Sequence, residues 1–116
     1  MKYFVFIFHA HIEELFWYAI IPIMEETRAH VLIEGRVQGV FYRAFTRDLA
    51  HILGLKGWVK NLRDGRVEAV FEGKRDLIEK AIKECNSGPP GARVTNIKVE
   101  WEPFVGDLKE FTVRYY

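Results

Sequence analysis

The sequence has a single cysteine, Cys85, so it forms no internal disulfide and holds no CxxC metal or redox motif. It also lacks an excess of charge of one sign, because 17 lysines and arginines stand against 16 aspartates and glutamates, for a net charge of +1. A nearly neutral chain has no broad positive field for binding a polyanion such as DNA. The single cysteine favours a reducing compartment, so we expect a cytoplasmic protein. The nearly neutral charge leads us to expect no nucleic-acid partner.

A long uninterrupted apolar segment is missing as well. Residues 1–23 are rich in aromatic and aliphatic side chains, but Glu13 and Glu14 divide them into two short runs. A transmembrane helix needs about 20 mostly apolar residues in a row, and a signal peptide needs small residues at its cleavage site. Neither run meets these requirements, so we expect no membrane partner. His9 and His11 form an H-x-H pair, yet we predict no metal site there.

The composition changes near Met24, where a polar segment leads into a strand-like pattern. We expect residues 1–23 to be an N-terminal extension and residues 24–116 to form one folded domain. Our hypothesis is that the extension comes from an upstream start codon. The alternative is a docking segment whose aromatic surface is covered by something else.

Hydrophobic periodicity from residue 28 onward switches between the spacings of strands and helices. Strands are predicted at 31–35, 55–62, 67–72 and 97–102, with a short fifth at 111–116. Two helices are predicted from their apolar stripes. The first stripe consists of Ala44 or Phe45, Leu49, Ile52 and Leu53, and the second of Leu77, Ala81 and Cys85. The order strand, helix, strand, strand, helix, strand predicts an α+β, ferredoxin-like βαββαβ sandwich, in which an antiparallel sheet carries both helices on one face. Because that fold serves many purposes, function has to be argued from particular residues.

The loop between the first strand and the first helix reads Gly35-Arg36-Val37-Gln38-Gly39-Val40-Phe41-Tyr42-Arg43. Gly35 and Gly39 allow a tight turn that exposes successive N–H groups, and the following helix adds the positive end of its dipole. Arg43 can direct a planar, permanently charged guanidinium toward the same place. The pattern indicates an oxyanion site, although a glycine-rich turn beside a solvated arginine is an alternative that spacing alone leaves open.

Three separated motifs resemble those of the acylphosphatases, in the family's order: the loop above, Gly57-Trp58-Val59-Lys60-Asn61, and Ser87-Gly88-Pro89-Pro90-Gly91-Ala92-Arg93-Val94. The likeness extends from about Thr27 to Tyr116. It implies hydrolysis of an acyl phosphate, the mixed anhydride of a carboxylic acid and phosphate, to a carboxylate and inorganic phosphate. The resemblance also implies that no metal and no organic cofactor take part, and that inorganic phosphate is both product and competitive ligand.

The same resemblance assigns residue roles. It implies that Arg43 binds the substrate, that Asn61 orients the attacking water, and that Gln38, Gly39, Val40, Phe41 and Tyr42 form the phosphate-binding loop. The chain departs from the family at two of these positions, because members usually carry a small residue where it has Phe41 and phenylalanine where it has Tyr42. A bulky Phe41 would alter the loop or narrow its mouth, so rate and substrate size are the properties affected.

These residue types suit the implied chemistry. An acyl phosphate is already activated because its leaving carboxylate is a weak base, so positioning and charge stabilisation suffice without a covalent nucleophile. An asparagine carboxamide can accept from a water and donate to it without ionising. We expect a small monomeric enzyme acting on a small-molecule acyl phosphate.

Two other functions are compatible with the predicted fold. An RNA-binding module would carry aromatic side chains on its central strands, whereas the segment 67–72 carries acidic ones. A domain that binds a phosphorylated molecule without turning it over, like the acylphosphatase-like module of larger hydrogenase-maturation proteins, would bind phosphate but release none from an acyl phosphate. We expect Cys85, His30, His51, Trp58 and Trp101 to be packing or surface residues.

Overall fold

The computed structural model of the chain describes residue 15 and residues 17–116. Its elements are β1 (Glu26–Arg36), α1 (Tyr42–Ile52), β2 (Lys56–Asn61), β3 (Val67–Lys74), α2 (Arg75–Ser87), β4 (Arg93–Glu102) and β5 (Phe111–Arg114). A helical segment at residues 17–24 precedes β1. No helix in this part of the chain is long and apolar enough to cross a membrane. The predicted extension lies largely, and His9 and His11 lie entirely, outside the described residues.

The five strands form one sheet in the order β4-β1-β3-β2-β5. The first four pair antiparallel, as predicted, but β5 pairs parallel with β2. The prediction of an antiparallel sheet is therefore wrong at this edge. Residues 103–110 carry the chain from β4 at one edge of the sheet to the opposite edge, where β5 runs in the same direction as β2. The α+β, ferredoxin-like class is confirmed, with a mixed sheet.

The core lies between the helices and one face of the sheet. Alternate residues of the central strands point into it, and both helices pack on the same side; the fully buried members include Ala29, Val31, Ile33, Val67, Ala69, Phe71, Ile78, Ala81 and Cys85. This one-sided burial is what the strand alternation predicts. The opposite face carries mainly polar and charged side chains.

The buried stripe of α1 differs in part from the predicted one. Leu49 and Leu53 are partly buried against the core, as predicted. The buried residues, however, are Tyr42, Thr46 and Ala50, and Ile52 is 82% exposed. The Tyr42 hydroxyl donates a hydrogen bond to the Cys85 carbonyl oxygen at 2.5 Å, which ties the first turn of α1 to α2. The side of α1 that carries Tyr42, Thr46 and Ala50 faces the core, and Ile52 is left in solvent.

A β-bulge at the end of β1 directs the chain into the loop. The register with β4 shifts between Glu34 and Gly35. Gly35 has a φ of 127°, and a Cβ at this position would lie 2.0 Å from the Arg93 carbonyl oxygen. Only glycine allows the two backbones to approach so closely. The start of the loop is thus fixed against β4.

Candidate active site

A cavity of about 290 Å³ opens beside the N-terminus of α1. The residues lining it come from the β1–α1 loop, the first turns of α1 and the ends of β2 and β5: Val37, Gln38, Gly39, Phe41, Tyr42, Arg43, Ala44, Arg47, Asn61, Val113 and Tyr115. Arg43 and Asn61, 18 positions apart in the sequence, therefore face one space. The sheet register explains this, because Lys60 lies level with Arg114 and so the ends of β2 and β5 reach the same edge.

The loop leaves backbone donors open. The amides of Gly39 and Val40 form no hydrogen bond with any described residue. Helix α1 begins without a side-chain cap and has no acidic residue in its first turn. The unpaired N–H groups and the helix dipole therefore concentrate positive potential beside the cavity, which suits an anion.

Arg43 adds a full positive charge to this region. Its guanidinium carbon lies 5.0 Å from the centre of the Tyr115 ring. No carboxylate of the described residues forms an ion pair with it, whereas Arg47, one turn further along α1, pairs with Asp48 at 3.0 Å. A half-buried arginine without a counter-ion remains free to bind an anionic ligand.

Asn61 ends β2 opposite Val67. Its Oδ1 atom is buried and has no hydrogen-bond partner among the described residues. Buried polar side-chain atoms nearly always have a protein or water partner. An acceptor without a partner, in a residue that lines a cavity, is suited to hold a water molecule or a ligand donor.

Gln38 braces the loop. Its Nε2 donates hydrogen bonds to the carbonyl oxygens of Leu62 (2.8 Å) and Arg66 (2.9 Å), both in the β2–β3 hairpin. The side chain amide is thereby committed to the fold, and it fixes the loop relative to the hairpin that carries Asn61. Sequence reasoning assigned Gln38 to the phosphate-binding loop and did not foresee this contact.

The other loop residues divide into core and surface. Val40 packs against the core and does not line the cavity, and Tyr42 is 1% exposed. Burial, with a smaller effect from Cys85, raises the pKa of the Tyr42 phenol far above its ordinary value, so it stays neutral. Phe41 is the opposite case, because its side chain is 85% exposed.

Sequence reasoning missed Arg47, Val113 and Tyr115 in the cavity wall. Arg47 follows Arg43 by four residues, and helical spacing alone would have placed it on the same face. Val113 and Tyr115 had no such signal, because their position depends on the parallel pairing of β5 with β2.

The remaining candidate side chains lie elsewhere. Cys85 is fully buried, and burial raises the pKa of its thiol to about 11, so it is no nucleophile. His51 Nε2 lies 2.9 Å from the Phe111 carbonyl oxygen. His30 has a carboxylate partner that the sequence did not reveal, since its Nε2 lies 2.6 Å from Glu68 Oε2.

His30 also belongs to the one group of three metal-ligating side chains within the described ranges. Its other members are Glu100 and Glu102, and none of the three lines the 290 Å³ cavity. Arg28 Nε lies 3.6 Å from Glu102 Oε1, and Arg28 also contacts Glu72. The group is therefore part of an ion network on the open face of the sheet.

Taken together, the fold and cavity define a class: a small α+β domain whose cavity is bordered by a glycine-containing loop, a helix N-terminus and an arginine, a set of groups that suits an anion. The acylphosphatase family model matches residues 29–113. The chain belongs to the acylphosphatase family.

Individual relatives agree with this assignment. An acylphosphatase of Chloroflexus aurantiacus is 54% identical over 90 residues, which cover 78% of this chain and 98% of that protein. The structure of an acylphosphatase from Coxiella burnetii is 47% identical with a TM-score of 0.72, covering 77% of this chain and 93% of that one. The crystal structure of T. kodakarensis HypF matches with 35% identity and a TM-score of 0.67, but over only 12% of its length and 76% of this chain.

Proposed function

We propose that this chain is an acylphosphatase that hydrolyses acyl phosphates in the 290 Å³ cavity, with Arg43 and Asn61 as its catalytic residues. The observation that carries the proposal is the meeting of three unsatisfied groups in one space. These are the loop amide of Gly39, which is unpaired among the described residues, a guanidinium with no carboxylate partner among them, and the buried, unpaired Oδ1 of Asn61, and all three residues line the cavity. Membership of the acylphosphatase family supports the same reaction.

The phosphoryl group binds at the loop. The amides of Gly39 and Val40 and the guanidinium of Arg43 donate to its oxygens and balance their charge as the bond from phosphorus to the acyl oxygen breaks. These donors are fixed before substrate arrives, because Gln38 holds the loop against the hairpin and Tyr42 anchors α1. Little reorganisation is then needed at the transition state.

Water is the nucleophile. Asn61 Oδ1 accepts a hydrogen bond from the water and aims its oxygen at phosphorus, in line with the leaving carboxylate. A phosphoryl oxygen of the substrate takes the proton, so the products are a carboxylate and inorganic phosphate. The described residues that line the cavity include no serine, threonine, cysteine, histidine, aspartate or glutamate, which fits a reaction that uses no covalent enzyme intermediate.

The test is steady-state hydrolysis of benzoyl phosphate by the full chain. If one preorganised donor contributes about 10²- to 10³-fold in rate, Arg43→Ala and Asn61→Ala each lower kcat/KM by about that factor. Matched controls are Arg75→Ala and Asn96→Ala, which remove the same side chains outside the cavity and leave turnover within about twofold. Wild-type turnover in either catalytic variant contradicts its assignment.

The same assay separates hydrolysis from mere binding. A domain that only recognises a phosphorylated molecule would bind inorganic phosphate but release none from benzoyl phosphate. We expect release, and we expect it to persist in EDTA, because amides and arginine already supply the positive charge that the reaction needs.

We also propose which part of the chain is catalytic, where in the cell the enzyme acts and that it is a monomer. Residues 24–116 form the catalytic unit, a division supported by the family model, which matches residues 29–113, and by the start of the first strand at Glu26. The enzyme acts as a cytoplasmic monomer on a small molecule, without a nucleic-acid or membrane partner. A truncated chain starting at Met24 is expected to keep the kcat/KM of the full chain, and sedimentation analysis to give the mass of one chain.

A further inference from the structure

Phe41 has a backbone conformation that its side chain disfavours. Its φ is 62° and its ψ is 25°, and it is the one non-glycine residue with a positive φ in the described part of the chain. The left-handed region costs a side-chain-bearing residue about 1–2 kcal/mol and costs glycine nothing. Such strain persists where the surroundings impose it, and it concentrates at functional sites.

The fold itself gains little from this phenylalanine. The ring is 85% exposed, it does not belong to the buried core, and the residue provides no side-chain cap for α1. Glycine would satisfy the backbone without strain. The side chain therefore carries a cost in stability that packing does not offset.

Phe41 is nevertheless one of the residues that line the cavity, together with Arg43 and Asn61. Tyr115, another largely exposed aromatic residue, lines the same cavity. Because Phe41 lies within the loop that would hold the phosphoryl group, its side chain borders the space left for the acyl part of the substrate. A large exposed apolar surface beside a polar site marks a place where a ligand is covered.

We infer that Phe41 is a specificity-determining residue, whose ring packs against the acyl group and favours acyl phosphates with aromatic or extended apolar acyl groups over acetyl phosphate. This inference rests on the proposed function. A contact of this kind is the same in the bound substrate and in the transition state, because charge develops on the phosphoryl group and the departing carboxylate and not on the apolar part of the acyl group that the ring would contact. Removing it should therefore act mainly on KM.

The experiment compares kcat/KM for benzoyl phosphate and acetyl phosphate. Phe41→Gly and Phe41→Asn both tolerate the left-handed conformation and both remove the ring. Aromatic contacts contribute enough for about a 3- to 10-fold preference, so the benzoyl-to-acetyl ratio should fall by about that factor in both variants. Phe104→Ala removes a partly exposed ring outside this cavity and should keep the wild-type ratio.

An unchanged ratio in both Phe41 variants overturns the inference, and so does an equal fall in Phe104→Ala. A purely structural role of Phe41 would slow both substrates alike and leave the ratio constant. If a variant turns over neither substrate, calorimetric binding of benzoylphosphonate and acetylphosphonate gives the same ratio without catalysis. Failure of the wild-type chain to hydrolyse either acyl phosphate contradicts the proposed function instead, and the phosphonate ratio still decides the role of Phe41.

Discussion

Two regions of this protein place backbone amides beside a charged side chain, with opposite results. In the β1–α1 loop, the amides of Gly39 and Val40 are unpaired among the described residues and the nearby charge is the cation of Arg43. In the β4–β5 connection, the amides of Val105 and Gly106 donate to Glu72 Oε2 at 2.9 and 3.4 Å.

The difference fits the proposed binding role of the β1–α1 loop and a structural role of the β4–β5 connection. Glu72 is 1% exposed, and Arg28 Nη1 lies 3.5 Å from the same carboxylate oxygen, so the protein satisfies these donors itself. The Glu72 carboxylate, which lies on β3 beside this connection, also repels anions. Amide donors that have no partner among the described residues, beside a cation that pairs with none of their carboxylates, are the ones available to a phosphate ligand.

The largest effect that would sharpen this comparison is on stability. Glu72→Ala leaves Arg28 and two amides without their buried acceptor, and we expect it to lower the free energy of unfolding by about 3 kcal/mol. Glu72→Gln keeps a carbonyl acceptor and should lose less. Urea unfolding measures both.

Arg43→Ala is the matched variant at the other region. Because Arg43 pairs with no carboxylate of the described residues, we expect the free energy of unfolding of the Arg43→Ala variant to be lower than that of the wild type by less than about 1 kcal/mol. A loss as large as that of Glu72→Ala would show that Arg43 is structural, and the contrast between the two loops would fail.

A smaller effect is expected at the brace between the loop and the hairpin. Gln38→Ala and Gln38→Glu both remove the donor to the Leu62 and Arg66 carbonyls. A small displacement of a catalytic group can cost a large factor in rate, so we expect kcat for benzoyl phosphate to fall about tenfold in both variants. In Gln38→Ala, the loss of two hydrogen bonds of net value about 1 kcal/mol each lowers stability by about 2 kcal/mol; Gln38→Glu loses more, because its carboxylate lies beside two carbonyl oxygens. Wild-type kcat in both variants would contradict the positioning role.

The sequence predicted most of the fold because its strands are half-buried and its helices amphipathic. It predicted β1 to β4 and both helices, but not the direction of β5, because four residues at a sheet edge carry no signal for parallel or antiparallel pairing. The Ile52 error has a similar origin. An apolar residue near a helix end fits the periodicity, but the helix packs on the neighbouring stripe of Tyr42, Thr46 and Ala50 and leaves Ile52 in solvent.

Part of the candidate site could be predicted from the sequence in the same way. Arg43 and the loop are contiguous in sequence, so local chemistry and the resemblance to a family point to them together. Asn61 depends on the resemblance, because an asparagine near a turn usually satisfies the backbone. Tyr115 and the brace by Gln38 depend on tertiary contacts that no local pattern reports.

The smallest effect concerns the hairpin that holds Asn61. Hydrogen bonds from Arg66 lower the pKa of the exposed Asp64 carboxyl. A lowered pKa in the folded state contributes stability at neutral pH that is lost as pH falls below about 4 and through the folded value. We expect Asp64→Asn to be slightly less stable than wild type at pH 7, and thermal unfolding to show the gap closing in acid. A constant gap would assign the effect to something other than the charge.

The phosphate site is tested most directly by titrating the ¹⁵N-labelled full chain with inorganic phosphate and following the amide chemical shifts. We expect saturable shifts at Gly39 and Val40, none at Val105 and Gly106, and loss of the response in Arg43→Ala. Absence of binding, or shifts centred on the β4–β5 connection, would contradict the claim that the open donors of the β1–α1 loop form the phosphate site.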